Sequence, residues 1–305
     1  MIPAVTVRIA PPVRQALDAG GAVVALESTV LTHGLPRPRN LELARGLERT
    51  VREAGATPAT IAVIAGDLVV GARDDELVRL AEGPADKASL WNLAAICAGG
   101  GDAGTTVATT LHAARLAGIE VFATGGIGGV HDAPFDESAD LAALAATPLV
   151  TVCAGPKSIL DAAATLERLE SAGVVVVGFR SDRLAGFHLP LTDLPLPARA
   201  DTPEEIAAIQ RAQARLGLRQ AVLVSNPVSK GLDPDALHGW LAAAQADATR
   251  TGVRGKDATP TLLDALARHS NGATVEVNLR LLHENAALAA RIAVALALHE
   301  RGVPA

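Results

Sequence analysis

The chain has 305 residues, 49% apolar and 20% charged, with a formal net charge of -6. That length and apolar content are enough for a sizeable buried core. Four Phe, two Trp and no Tyr in an acidic chain supply neither the stacking platform nor the basic groove that single-stranded nucleic acid needs, which excludes nucleic-acid polymers as partners.

In chain order, the first twenty residues hold only broken apolar runs around Pro11 and Pro12 and form no secretory h-region. Apolar runs then predict strands at Ala22–Leu26, Thr60–Ile64, Ile119–Ala123, Leu149–Cys153, Val174–Gly178 and Ala221–Val224. Continuously apolar strands are covered on both faces. Helical patterns lie between them at Leu41–Ala54, Thr105–Ala117 and Ser158–Ser171, followed by Gly55, Gly118 and Gly173. Glycine just past a helix is a stop signal. The alternation predicts an α/β chain, a three-layer α/β/α arrangement on a mainly parallel central sheet. It is read as a single domain over 1–305 with a proline-rich excursion near 184–203.

The most apolar helix, near the C-terminus, carries Arg291 in its middle and reads as shorter than the roughly 20 apolar residues of a membrane span. Cys97 and Cys153 have no CxxC or Cys/His companion. They read as small buried hydrophobes in a reducing compartment. A soluble cytoplasmic protein with no membrane partner is the expectation.

Parallel α/β sheets concentrate function at the carboxyl ends of their strands, so the residues after each run matter most. Glu27 follows four apolar residues. A carboxylate there is costly unless paired or protonated, which makes Glu27 a general-acid candidate with a raised pKa; a bond to a neighbouring turn is the competing reading. Thr124–His131 is glycine-rich, but His131 stands where GxGxxG needs its third glycine, and a Walker loop fails because Pro156 precedes Lys157. The glycines either let backbone N–H groups approach an anion or make a tight turn.

A second anion candidate is Gly99–Val107, glycines running into a helix with Thr105 as its cap and Lys87 upstream to add charge. Pro156 reads as a first helical position. Lys157 would then lie in the first turn, where the helix dipole disfavours the ammonium form and makes it a candidate Schiff-base nucleophile; a lysine that simply points to water is the competing reading. His131, Asp132, Asp136 and Asp140 cluster within ten residues, interrupted by Pro134. One or two carboxylates plus waters suit Mg²⁺ or Mn²⁺, with Asp136 the preferred ligand. Ser138 is either part of that site or the N-cap of a helix over Ala139–Ala145.

Val24–Thr29 with Thr32-His33-Gly34, Pro58–Ala62, Thr105–Ala108, Val121–His131, Phe135–Asp140, Val152–Asp161 and Gly255–Pro260 together resemble the pseudouridine-5′-phosphate glycosidase family, collinearly and over about nine tenths of the chain. The resemblance implies reversible, metal-dependent cleavage of pseudouridine 5′-phosphate to uracil and ribose 5-phosphate on an α/β/α fold, in a homotrimer with Mn²⁺ as cofactor. Residue by residue, it implies that Lys157 is the covalent nucleophile, Glu27 the proton donor and Asp136 the metal ligand, with Lys87, Val107, Ser138 and Asp140 at substrate contacts. The family's C-terminal asparagine matches either Asn278 or Asn285. The segment between His131 and Phe135 is shorter than the family pattern.

Two other readings share the layout. A carbohydrate kinase needs a Gly-Ala-Gly-Asp motif, and Gly101-Asp102-Ala103-Gly104 has those letters in another order. A sugar-phosphate or nucleotide sensor would bind without turnover. With so few rings, a bound base is expected to be held mainly by hydrogen bonds, rather than stacked between two of Trp91, Phe122, Phe135 and Phe179.

Overall fold

The four residues Val23–Leu26 are all buried because alternate side chains enter two different cores. Val23 and Ala25 face one apolar cluster, Val24 and Leu26 the other, as the two-residue period of a strand requires. In the computed structural model, which describes residues 6–131, 136–251 and 258–300, eleven strands form one sheet. They are β1 (Val7–Ile9), β2 (Val23–Leu26), β3 (Thr57–Ile64), β4 (Asp67–Val70), β5 (Asp86–Ala88), β6 (Ala103–Thr105), β7 (Val121–Ala123), β8 (Val150–Cys153), β9 (Val175–Phe179), β10 (Ala198–Ala200) and β11 (Val222–Ser225). Asp132, Pro134 and Phe135, and Gly255-Lys256-Asp257, lie outside the described residues.

The helices are α1 (Pro11–Asp18), α2 (Arg39–Glu53), α3 (Asp74–Glu82), α4 (Leu93–Ala98), α5 (Val107–Ala117), α6 (Ala139–Ala146), α7 (Ala162–Ser171), α8 (Pro203–Arg215), α9 (Pro234–Thr251), α10 (Ala258–His269) and α11 (Ala273–Glu300). The strand order is β1-β4-β3-β2-β7-β8-β11-β9-β10, with β6 on β3 and β5 on β6. From β3 to β10 every neighbour is parallel. The antiparallel exceptions are β3 with β4 and β3 with β6. One face is covered by apolar residues of α5, α6 and α7, the other by those of α2, α8 and α11. This is the expected three-layer α/β/α arrangement.

All six apolar runs are strands, to within three residues at either end. Two of the helix starts differ from expectation for a reason visible in the caps, while α2 begins two residues earlier than read, at Arg39. The helix read from Ser158 begins at Ala162, where the Asp161 carboxylate accepts the Ala164 N–H at 2.9 Å. Thr106, not Thr105, caps α5, because Thr105 is the last residue of β6. Gly118 ends α5 at φ 81°, which a residue with Cβ adopts only at a cost.

The C-terminal helix also departs from expectation. At 28 residues α11 is longer than read, and Ala273–Leu298 is apolar enough by length and composition to cross a membrane. Here its apolar side, including Leu281, Ala289 and Ile292, is buried in the core against α2, α8 and the sheet, while Arg291 is exposed. A helix covering the middle of a sheet needs this length and apolarity for packing alone.

Candidate active site

At the carboxyl ends of β2, β7 and β8 lies a cavity of about 440 Å³ whose lining includes Glu27, Lys87, Gly125, Lys157 and Asn278. Glu27 is the first residue beyond β2. The turn that carries it is fixed from below: Ser28 Oγ donates to the Ile61 carbonyl at 2.6 Å and accepts the Thr105 N–H at 2.9 Å. Gly104 permits this approach, since a Cβ there would sit 2.2 Å from Thr32 Oγ1.

Burial drives the Glu27 pKa above the ordinary carboxylate range. The Lys157 charge, a hydrogen bond donated by Thr124 Oγ1 and the Lys87 charge oppose the shift, and Asp140 adds to it. The net rise keeps the proton on Glu27 to higher pH than on an exposed glutamate. Its hydroxyl partner comes from the end of β7, not from a neighbouring turn.

Lys157 reaches the same cavity, though not from the start of a helix. Pro156 forms a parallel bridge to Ile127, and the Lys157 N–H donates to the Ile127 carbonyl at 3.1 Å. A turn follows, closed by Leu160 N–H to Lys157 carbonyl at 3.0 Å, before α7 begins. The expected placement in the first turn of a helix is therefore corrected: proline's fixed φ serves an extended bridge here. What surrounds the amine is the Glu27 carboxyl and the cavity.

Asp140 has a role that spacing did not reveal. Its two carboxylate oxygens accept the N–H groups of Ala108, at 3.0 Å, and Gly128, at 2.8 Å. The glycine-rich run thus does bring a backbone N–H to an anion, and that anion is the protein's own Asp140 carboxylate, from the first turn of α6. A Cβ on Gly128 would lie 2.2 Å from Ser138 Oγ, so glycine is needed for close approach. Ser138 caps α6 by accepting the Asp140 N–H at 3.2 Å, and Val107 is buried. Of the four expected substrate contacts, Lys87 lines the cavity; Val107, Ser138 and Asp140 do not.

Lys87, on β5, sits near His33, an exposed residue at the cavity's rim. Burial and then the Lys87 charge pull the His33 pKa down, against Asp86. Asp136 is half-buried, its carbonyl accepts the His131 N–H at 2.9 Å, and it is outside the cavity lining. Among the described residues no three His, Cys, Asp or Glu side chains converge on a metal position. Glu137 is paired with Arg168 at 2.9 Å, and Asp140 is committed to backbone. One carboxylate is a donor set that fits a hard divalent cation keeping most of its waters and does not fit zinc.

The two asparagines separate cleanly. Asn278 lines the cavity. Asn285 is fully buried, donates to the carbonyls of Thr124 at 2.8 Å and Gly125 at 3.2 Å, and accepts Asn226 Nδ2 at 2.9 Å. It fastens α11 to the ends of β7 and β11.

None of Trp91, Phe122 and Phe179 lines the cavity. Trp91 is 77% exposed, while Phe122 and Phe179 are in the two cores, and Phe135 lies outside the described residues. The proline-rich excursion after β9 contributes Phe187 and His188 to the lining. A Cβ on Gly126 would be 2.5 Å from the Phe187 ring. The available signal was a Gly-Phe-His sequence within a segment leaving a buried strand.

The family described as Indigoidine synthase A like protein matches residues 12–295. A Thermus thermophilus protein named pseudouridine-5′-phosphate glycosidase is 58% identical over 90% of this chain and 97% of its own. One of the same name from Saccharopolyspora erythraea is 51% identical over 95% of this chain and 97% of its own. Among solved structures, the prealnumycin C-glycosynthase AlnA, in complex with ribulose 5-phosphate, superposes with TM-score 0.90 at 36% identity, covering 99% of this chain and 100% of that one. An indigoidine synthase A-like protein from Thermotoga maritima gives TM-score 0.89 at 35% identity, covering 96% and 97%.

Proposed function

Because the chain belongs to the Indigoidine synthase A-like family, we propose that it cleaves the C-glycosidic bond of pseudouridine 5′-phosphate reversibly to uracil and ribose 5-phosphate. The observation that carries this reading is a half-buried Glu27, its pKa raised by desolvation, lining the same cavity as Lys157. The names of the relatives, glycosidases of that substrate, and a structural neighbour holding a sugar phosphate support it.

A carbon leaving group has no lone pair to protonate, so the two-carboxylate scheme for O-glycosides does not transfer. Glu27 gives its proton to the ribose ring oxygen as the Lys157 amine bonds to C1′ and the C1′–O bond breaks. The proton shed by the nitrogen returns to Glu27 and is delivered to C5 of the base. The C1′–C5 bond then breaks, its electrons going to C5, while the nitrogen lone pair forms an iminium with C1′. Water hydrolyses the iminium, releasing ribose 5-phosphate and free Lys157.

Lys87 binds the phosphate. A divalent cation, read as Mn²⁺, would be held by Asp136 and waters and would neutralise phosphate charge. Val107, Ser138 and Asp140 shape the wall behind the sugar phosphate through the N-termini of α5 and α6. The resemblance further supports a homotrimer, for which sedimentation should give three times the chain mass. Borohydride treatment with ribose 5-phosphate should leave an adduct at Lys157, read by peptide mass; turnover without any adduct there would remove the covalent mechanism.

A further inference from the structure

Glu27 and His33 are carried by one short piece of chain. After β2 the backbone passes Glu27 and closes into a single π-helical turn, Val30–Gly34, with the Leu31 and Thr32 N–H groups donating to the Ser28 carbonyl at 3.0 and 3.1 Å. Leu31 is 1% exposed, in an apolar cluster with Ala44, Ile64 and Leu77, and Asn40 Nδ2 donates to its carbonyl at 3.0 Å. The turn is thus anchored from inside, while His33 is exposed at the cavity's rim. Single π-helical turns are frequent at functional sites.

The His33 ring is aimed by its neighbour. Thr32 Oγ1 lies 2.7 Å from His33 Nδ1, and Thr32 itself sits over Gly104, where a Cβ would come within 2.2 Å of that hydroxyl. Gly104 is the residue opposite Lys87 in the pairing of β5 with β6. The imidazole and the ammonium therefore rise from adjacent points of one rim, beside the exposed Asp86. With Nδ1 on Thr32, Nε2 is on the far side of the ring from that contact. Among the described residues the Thr32 contact is the ring's only hydrogen bond.

A hydroxyl donates to Nδ1 as readily as it accepts from it, so the ring keeps the Thr32 contact with its proton on Nε2. A phosphate beside Lys87 favours that arrangement by placing negative charge next to Nε2. Burial and then the Lys87 charge pull the His33 pKa down, against Asp86; a phosphate dianion offsets the Lys87 contribution. The neutral ring with its proton on Nε2 and the imidazolium both donate from that nitrogen.

We propose that His33 is a second phosphate-binding residue, its Nε2–H donating to the 5′-phosphate held by Lys87, and that it sets the preference for a phosphorylated sugar. The proposal rests on the reaction and the Lys87 role assigned above. Since Glu27 and His33 share one anchored segment, a phosphate held there fixes the sugar relative to the proton donor.

The test is the synthesis direction, with uracil and ribose 5-phosphate as substrates. His33→Leu removes the donor from an exposed position and leaves the buried side of the turn untouched. It should raise the KM for ribose 5-phosphate by about tenfold or more, as the loss of a hydrogen bond to a charged group predicts. The KM for uracil, measured at saturating ribose 5-phosphate, should stay within about twofold, and the borohydride adduct at Lys157 should still form. His33→Gln returns an N–H donor near the place of Nε2 and should recover most of the lost affinity for ribose 5-phosphate. An unchanged ribose 5-phosphate KM in His33→Leu, both KM values rising together, or no recovery in His33→Gln would overturn the proposal.

A second measurement reads the contact without turnover. In the wild-type chain labelled with ¹⁵N-histidine, added ribose 5-phosphate should shift one Nε2 signal further into the protonated range, and that signal should be missing from labelled His33→Gln. If none of the eight histidines responds, or the one that responds persists in His33→Gln, the proposal falls. Failure of the underlying reaction looks different: wild-type protein would neither turn over substrate nor form an adduct, while the Nε2 shift would remain.

Discussion

Strands β2 and β7 each run between two cavities, one at either end of the sheet. At their start, a cavity of about 260 Å³ is lined by Leu17, Gly21, Ala22, Val23, Glu120 and Leu296, among others. At their finish, the cavity of about 440 Å³ presents Glu27, Lys87, Lys157, His33 and Asn278. Both are concave and both are partly apolar. They differ in convergence: the starting end has a single exposed carboxylate, Glu120, whereas the finishing end sets opposite charges around a half-buried acid. Shape alone therefore does not mark a site in this fold; opposed titratable groups with a shifted pKa do.

Substitutions at the two ends should separate accordingly. Lys157→Ala should abolish both turnover and the borohydride adduct, and residual adduct formation at another lysine would shift the nucleophile. Glu27→Gln should lower kcat by about 10²–10⁴-fold, as expected for losing a general acid, with substrate binding retained; wild-type kcat would free Glu27 of that role.

The same variant carries a stability signature. The Glu27 pKa is raised in the folded chain, so above the unfolded value near 4.5 the folded state holds a proton that the unfolded state has released. Its contribution to stability is full below that pH and is lost as pH rises through the folded pKa. Glu27→Gln lacks this loss, so its melting temperature should gain on wild type as pH rises above 4.5. A constant difference as pH rises would contradict the raised-pKa assignment.

Chelation should lower activity, and Asp136→Ala should lose the response to added Mn²⁺ while keeping its fold by circular dichroism. Full activity in a chelator would remove the metal from the reading. Asn285→Ala leaves buried partners without their hydrogen bonds and should cost about 1–3 kcal/mol of stability, seen in urea unfolding. At the opposite end of β7, Glu120→Gln should change neither kcat nor stability by more than about 0.5 kcal/mol. A larger effect on turnover there would break the contrast between the two ends.

The central strands were legible because residues buried on both faces leave continuous apolar runs, as in Val150–Cys153 and Val175–Phe179. Short strands such as β5 and β6 were not, since three residues carry no usable period and exist by pairing with distant β3. In the site, Glu27 was readable from an acid abutting a buried strand. Lys157 was found with the wrong local geometry, because proline suits both a helix start and an extended bridge, and the choice is made by Ile127, thirty residues away. Asp140 was identified as part of the region, but its backbone partners Ala108 and Gly128 depend on how α5 and α6 meet. His188 left no sequence signal strong enough to place it. Its position depends on an irregular excursion whose path is set by contacts with Ser158 and Leu232.

Asn285 joins α11, the last helix in chain order, to the ends of strands formed much earlier in the chain. The same helix contributes Asn278 and Leu282 to the cavity wall. A chain still emerging from the ribosome therefore carries Glu27 and Lys157 before it has the wall that encloses them. The cavity around Lys157 is thus enclosed only once α11 has been made.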